Sequence, residues 1–409
     1  MINDFLSKWV NFWVFLFCIG IISYSAMSAI VLLLTMSYIW LAKHDNHLNF
    51  ALNKEEKVFV YFVLIWFFIQ LFGIVYQPLG YEYENIRMQL SSFDNVSRWL
   101  LFLPIFFLLS RYIIDWRLVA IGTSIGVLIS VAIAHNEVYF LNLERSKGAS
   151  VHIIPFGELM VIADLILSVL MFYAWSRKEK ILSYFLLFAS ISAFYGSILS
   201  ATRGAWLVYP LMILIWFFYV FKNSPFNKKY LLSKPILLKL LFTIILLFSV
   251  SQTKHYEVLE SRINGTISAL HEGNYQGASS SRLQIFKDSI NHIKKYPFGI
   301  GTRNFEKIDP NGYPYNAHNL LLNVWVENGI QGLISLLSLI GFSLRFFWTN
   351  LKHTNKIIHT YASGGLLLIV SYIVFSQSQV VFDHHQTLVF FIFYLYFFFA
   401  QIQALNKSN

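Results

Sequence analysis

Cysteine is almost missing from this chain: Cys18 is the only one in 409 residues. No intrachain disulfide can form, so oxidative stapling plays no part in the fold. Charge is scarce too. Asp, Glu, Lys and Arg make up 13% of the sequence, against about 25% in soluble domains, which excludes an ordinary globular protein. The first apolar run has no A-x-A-like cleavage site and flows into a second, so it reads as a retained span. No internal repeat and no low-complexity tract is visible. The formal net charge of +10 resembles a nucleic-acid signature, but the cations lie between apolar runs. There, membrane topology and anionic lipid account for them, and no nucleic-acid partner is expected.

What is present is hydrophobic length. Apolar side chains form 56% of the chain, 40 of them Phe, and the mean hydropathy is +0.56. Runs of about 18 or more apolar residues recur along the whole sequence, each able to cross a bilayer core about 30 Å thick. The class is therefore an all-α, polytopic membrane protein. The pattern predicts about twelve spans, at 9–24, 26–42, 58–76, 97–113, 118–135, 153–174, 181–199, 205–221, 236–250, 319–347, 361–380 and 387–404. Lys and Arg concentrate in the loops after even-numbered spans, which predicts that those loops and both termini are cytoplasmic. One loop, 251–318, is long and polar and falls on the opposite side. A loop of that length is functional or disordered. The expected organisation is thus nine spans in 1–250, the long loop in 251–318, and three spans in 319–409. Within the loop, Leu283, Phe286, Ile290 and Ile293 recur at helical spacing in SSSRLQIFKDSINHIKKYPF. Ser279, Ser280 or Ser281 can cap that helix, and Pro297 and Gly299 stop it.

The chemistry-bearing residues cluster around the long loop. His318 and Asn319 stand at the mouth of the tenth span, after the turn GYPYNA. An imidazole titrates near neutral pH and suits a general base; the plain alternative is an interfacial ring that caps the helix. Glu327 lies inside the span, where an ionisable group is a functional candidate by default. Gly329 and Gly332 read as close helix packing. Arg203, in SATRGAW, is held at the membrane edge against the positive-inside trend; it either snorkels to headgroups or clamps an anion. Arg282 opens the loop helix, where backbone N–H groups also favour an anion. Asp164 is mid-span, with Glu158 and His152 on the same helix, as polar glue or a cavity lining. Asp383, His384 and His385 read as a solvated turn rather than a metal site, and no metal is expected.

The series SATRGAW, SSSRLQIFKDSINHIKKYPFGIGTRNF and AHNLLLNVWVENGIQGL resembles the O-antigen ligase and polymerase superfamily of bacterial envelopes. The motifs span roughly residues 190–335, in order. The resemblance implies a GT-C-type glycosyltransferase of the bacterial inner membrane with its site facing the periplasm. The implied donor is an undecaprenyl-diphosphate-linked O-antigen, and the acceptor is a sugar hydroxyl of lipid A–core. By the same resemblance His318 is the general base and Arg203 and Arg282 contact the diphosphate, with no cofactor; Asn319, Glu327 and Asp164, from their positions alone, are candidates for support. Phe286 stands where many relatives carry Trp. The alternatives are a polysaccharide polymerase using the same donor and, in another class, a transporter of lipid-linked sugars. The shortness of the loop 136–152 favours the ligase over the polymerase.

Overall fold

The computed structural model describes residues 2–23, 27–44, 51–80, 83–215, 225–226, 233–271, 282–308 and 316–408. No strand occurs among them. The helices are α1 (Ile2–Ser23), α2 (Met27–His44), α3 (Lys54–Val75), α4 (Tyr83–Leu101), α5 (Leu103–Leu109), α6 (Trp116–Tyr139), α7 (Ile153–Ser176), α8 (Lys180–Ser200), α9 (Arg203–Trp206) and α10 (Val208–Ile215). They continue as α11 (Lys234–Ser251), α12 (Lys254–His271), α13 (Arg282–Lys295), α14 (Leu320–Asn350), α15 (Lys356–Phe375) and α16 (His385–Ser408). Nine segments of the described residues have the length and hydropathy to cross a membrane, and Ser7–Ile22 is a shorter apolar helix. The protein is thus a multi-pass helical membrane protein.

α16 is the axis of the bundle. Phe390 through Ala400 are all buried, as expected of a helix that is apolar on every side. Phe399 stacks on Phe59 of α3 and on Phe346 of α14, with centroids 4.4 and 3.8 Å apart. Offset aromatic pairs add to the area they bury. At the end of the bundle where α3 begins, Asn53 and Glu56 form a capping box: Asn53 Oδ1 accepts from the Glu56 N–H at 2.8 Å, and Glu56 Oε2 accepts from the Asn53 N–H at 2.9 Å. The other oxygen of Glu56 pairs with Arg111 and Lys407 at 3.1 and 2.7 Å. One buried carboxylate therefore ties together the start of α3, the end of α5 and the end of α16.

α1 packs on α6 through Gly122 and Gly126. A Cβ at either position would lie 2.6–2.7 Å from a carbonyl of α1. This is the small-xxx-small contact that lets membrane helices approach closely.

The structure departs from the sequence expectations at three places. The fourth span starts earlier, because α4 is an amphipathic helix whose polar first half masked it, and it breaks before α5. The long loop carries a second helix, α12, ahead of the expected α13. The tenth span is broken: Gly329 has φ 67° and ψ −170° inside α14. The serine cap at 279–281 and the far end of the 205–221 span lie outside the described residues.

Candidate active site

The break in α14 is where the site is assembled. Breaking a helix leaves carbonyls and amides without partners. Residues 297–302 supply them. Val326 and Glu327 carbonyls accept from the N–H groups of Ile300 and Gly301 at 3.0 and 2.9 Å, and the Ile330 N–H donates to the Pro297 carbonyl at 3.0 Å. The Thr302 N–H then donates to the Gly73 carbonyl at 2.7 Å, which fixes the loop to the end of α3. A Cβ on Gly329 would fall 2.3 Å from the Phe298 carbonyl carbon, and one on Gly299 would fall 2.4 Å from the Glu327 carbonyl oxygen. Residues 297–301 and 327–329 are thus two halves of one backbone junction. Gly329 is not the helix-packing residue expected; it occupies a conformation almost reserved for glycine.

The first half of α14 begins at the His318 turn. Asn319 caps it, accepting from the Leu322 N–H at 3.0 Å, so the capping role belongs to Asn319 and the imidazole is left for other work. Asn316 Oδ1 accepts from the His318 N–H, and Asn323 Oδ1 accepts from the Ala317 N–H, both at 3.0 Å. These amides hold His318 at φ 48°, in the left-handed region. Strained backbone of this kind persists where the surroundings over-determine it, often at functional sites.

The ring of His318 is half-buried and hydrogen-bonded by Gln379; its Nδ1 has no partner among the described residues. Burial, then repulsion from Arg282, pushes its pKa below the ordinary 6.5, against the smaller effect of the Gln379 bond. The shift favours the neutral ring at neutral pH. Arg282 itself is half-buried, and burial pulls its pKa below the ordinary guanidinium value. A guanidinium still cannot discharge under these conditions. Arg203 opens α9, two residues after Ala201, a left-handed C-cap at φ 50°, with Thr202 between them as the N-cap. Its neighbour Gly204 lies against Ser378 (a Cβ there would meet Ser378 Oγ at 2.8 Å), next to the Gln379 that holds His318. The α15–α16 turn thus links the Arg203 turn to the His318 turn.

That turn was expected to be solvated; it packs against the site instead. Asp383 Oδ2 accepts from Asn316 Nδ2 at 3.2 Å, and burial raises its pKa. His384 stacks on His152, centroids 6.0 Å apart. Burial, with the charges of His152, Arg303 and His318 added, pushes His384 down to about 4. Glu327 bonds the Arg303 N–H and the Asn323 side chain. Arg303 is itself at φ 61°. Sequence reasoning passed over Arg303 and Gln379, neither of which carries a local signal. No three His, Cys, Asp or Glu among the described residues are grouped to hold a metal ion.

Asp164 is not brought to this site. It is buried in mid-α7, paired with Lys239 of α11 at 2.6 Å and accepting from Tyr209 at 3.1 Å. The pair lines an apolar cavity of about 440 Å³ that Phe172, Phe194 and Leu240 share. Removing one partner of a buried pair costs about 3–5 kcal/mol. Lys239 keeps 21% of its side chain exposed, so Lys239→Met should destabilise by the lower part of that range, read as a fall in thermal midpoint. The double variant with Asp164→Asn should recover most of it.

At the rim of the helical bundle, then, stands an imidazole whose Nδ1 is unpartnered among the described residues, with the Arg282 guanidinium near enough to repel its charged form. Residues 188–337 match the family model described as O-antigen ligase. That match supports membership of the O-antigen ligase superfamily, whose members are membrane enzymes of glycan transfer. The matched segment contains Arg203, α13, the 297–302 junction and the first half of α14. An uncharacterized protein of Haemophilus influenzae is 24% identical over 357 residues, covering 83% of this chain and 85% of its own length.

Proposed function

We propose that the protein is an O-antigen ligase of the bacterial inner membrane: a GT-C-type enzyme of about twelve spans with its site facing the periplasm and both termini in the cytoplasm. It transfers O-antigen from undecaprenyl diphosphate to a sugar hydroxyl of lipid A–core. The observation that carries this reading is the imidazole of His318, unpartnered at Nδ1 among the described residues and close enough to Arg282 for the two to repel.

A sugar hydroxyl is a poor nucleophile until a base removes its proton. His318 takes that proton as the hydroxyl oxygen attacks the anomeric carbon from the face opposite the diphosphate. The bond from that carbon to the diphosphate oxygen breaks, its electron pair leaves with the diphosphate, and the configuration inverts. Arg203 and Arg282 hold the charge that develops, where preorganised donors in a partly dry site have most effect. The polyprenyl tail enters from the side.

A deletion strain tests the assignment. Loss of a ligase leaves bare core, with O-antigen stranded on its carrier, whereas loss of a polymerase leaves core bearing a single repeat. The pH profile tests the base. Because the His318 pKa is depressed, its basic form persists until the pH falls below the ordinary histidine value of 6.5. The acid limb of kcat/KM should therefore lie below pH 6.5; a limb above that value would contradict the assignment.

A further inference from the structure

Near the His318 turn is a second polar space, whose lining includes neither Arg203 nor Arg282. A cavity of about 60 Å³ lies between α3, α4, the 297–304 loop, α14 and the start of α16. Its walls include Trp66, Gln70, Asn323, Glu327, Arg303 and Asp383. Two of these carry donors that nothing among the described residues accepts: Gln70 Nε2 and Trp66 Nε1. Both residues are more than nine-tenths buried, at 9% and 3% exposure. A buried donor without a partner costs about 1–3 kcal/mol, so such groups point to something absent from the protein itself.

The lining says what kind of molecule completes it. Two acidic side chains, Glu327 and Asp383, face the guanidinium of Arg303, so the space is not a cationic clamp for a diphosphate. It offers orphan donors together with carboxyl and amide oxygens that accept, which matches a neutral group that both gives and takes hydrogen bonds. A sugar hydroxyl does both. Indole walls suit the apolar face of a sugar ring. A water needs about 10–15 Å³ of such volume, so the cavity has room for the hydroxyl-bearing edge of one ring. It is next to the base: Asn323 and Asp383 line it while holding Ala317 and Asn316, the two residues that precede His318.

We propose that this cavity is the acceptor subsite, seating the hydroxyl-bearing edge of the acceptor sugar ring, with Gln70 and Trp66 as specificity-determining contacts. The inference rests on the glycosyl-transfer reading above, and it divides the site into a cationic half for the donor diphosphate and an acidic, amide-lined half for the neutral acceptor.

The test uses the full chain in nanodiscs, with Trp66→Phe, Gln70→Leu and the double variant. Trp66→Phe keeps an aromatic ring and loses the donor. Each lost hydrogen bond should raise the acceptor KM several-fold, and the double variant should raise it by about tenfold or more. The donor KM and kcat at saturating acceptor should hold. A parallel calorimetric titration with core oligosaccharide, released from lipopolysaccharide by mild acid, should show the same ranking without turnover. An unchanged acceptor KM and unchanged titration, in variants with wild-type thermal midpoints, would mean the cavity holds water only and would overturn the proposal. A wild type that binds the saccharide through these residues yet transfers nothing would keep the subsite and remove the ligase reading. A variant that fails to fold is replaced by the single substitutions, whose titrations decide in the same way.

Discussion

His318→Ala abolishes transfer in a purified assay while leaving the protein folded and able to bind its lipid-linked donor; that is the largest effect expected of any single substitution on chemistry. Removing a general base costs about 10²–10⁴-fold in rate. The fold is spared because the turn is held by the amides of Asn316, Asn319 and Asn323 and not by the ring. One ambiguity needs control, since residue 318 is at φ 48° and alanine tolerates that region poorly. Asn enters it several times more readily than most residues. His318→Asn should therefore fold as well as the wild type and still be inactive. Wild-type turnover in His318→Asn would remove the imidazole from the mechanism.

Gly329→Ala has the second large effect, and it acts on architecture. At φ 67° and ψ −170° the position is in a region essentially closed to side chains, with a cost on the order of 1–3 kcal/mol. The new Cβ would also lie 2.3 Å from the Phe298 carbonyl carbon, so the 297–302 loop must retreat. That retreat undoes the bonds to Val326, Glu327 and Pro297 and displaces the carboxylate and amide that line the acceptor cavity. The expected result is a large fall in thermal midpoint together with loss of turnover. Gly341→Ala is the control: it lies in the same helix, and an added Cβ there meets nothing within 4 Å. It should leave both measurements unchanged.

Much of this arrangement was legible in the sequence, for local reasons. Span positions follow from apolar length, and the loop helix follows from the spacing of Leu283, Phe286, Ile290 and Ile293, with Pro297 ending it; the observed α13, Arg282–Lys295, agrees. The motif series at roughly 190–335 coincides with the matched family segment 188–337. What stayed hidden depends on partners far away in sequence. Gly329 in an apolar run reads as a packing contact, because only the arrival of Phe298 makes the break necessary. Asp383 and His384 read as solvated, because nothing nearby in the chain announces Asn316 or His152. Gln70 and Trp66 are single residues in an ordinary apolar span. Their unpaired donors are visible only once α14 and the 297–304 loop close the cavity around them. Asp164 looked like a candidate for the same site until Lys239 was found beside it.

The most direct test of the central claim, that two arginines grip the diphosphate without a cation while one imidazole does the chemistry, is equilibrium binding of undecaprenyl diphosphate to the purified protein in excess chelator. Wild type and His318→Ala should bind alike, and Arg203→Ala with Arg282→Ala should lose about 100-fold or more, as charge-assisted contacts worth about 1.5–3 kcal/mol each require. Wild-type affinity in the double variant, or binding that vanishes with chelator and returns only with a divalent ion, would contradict it.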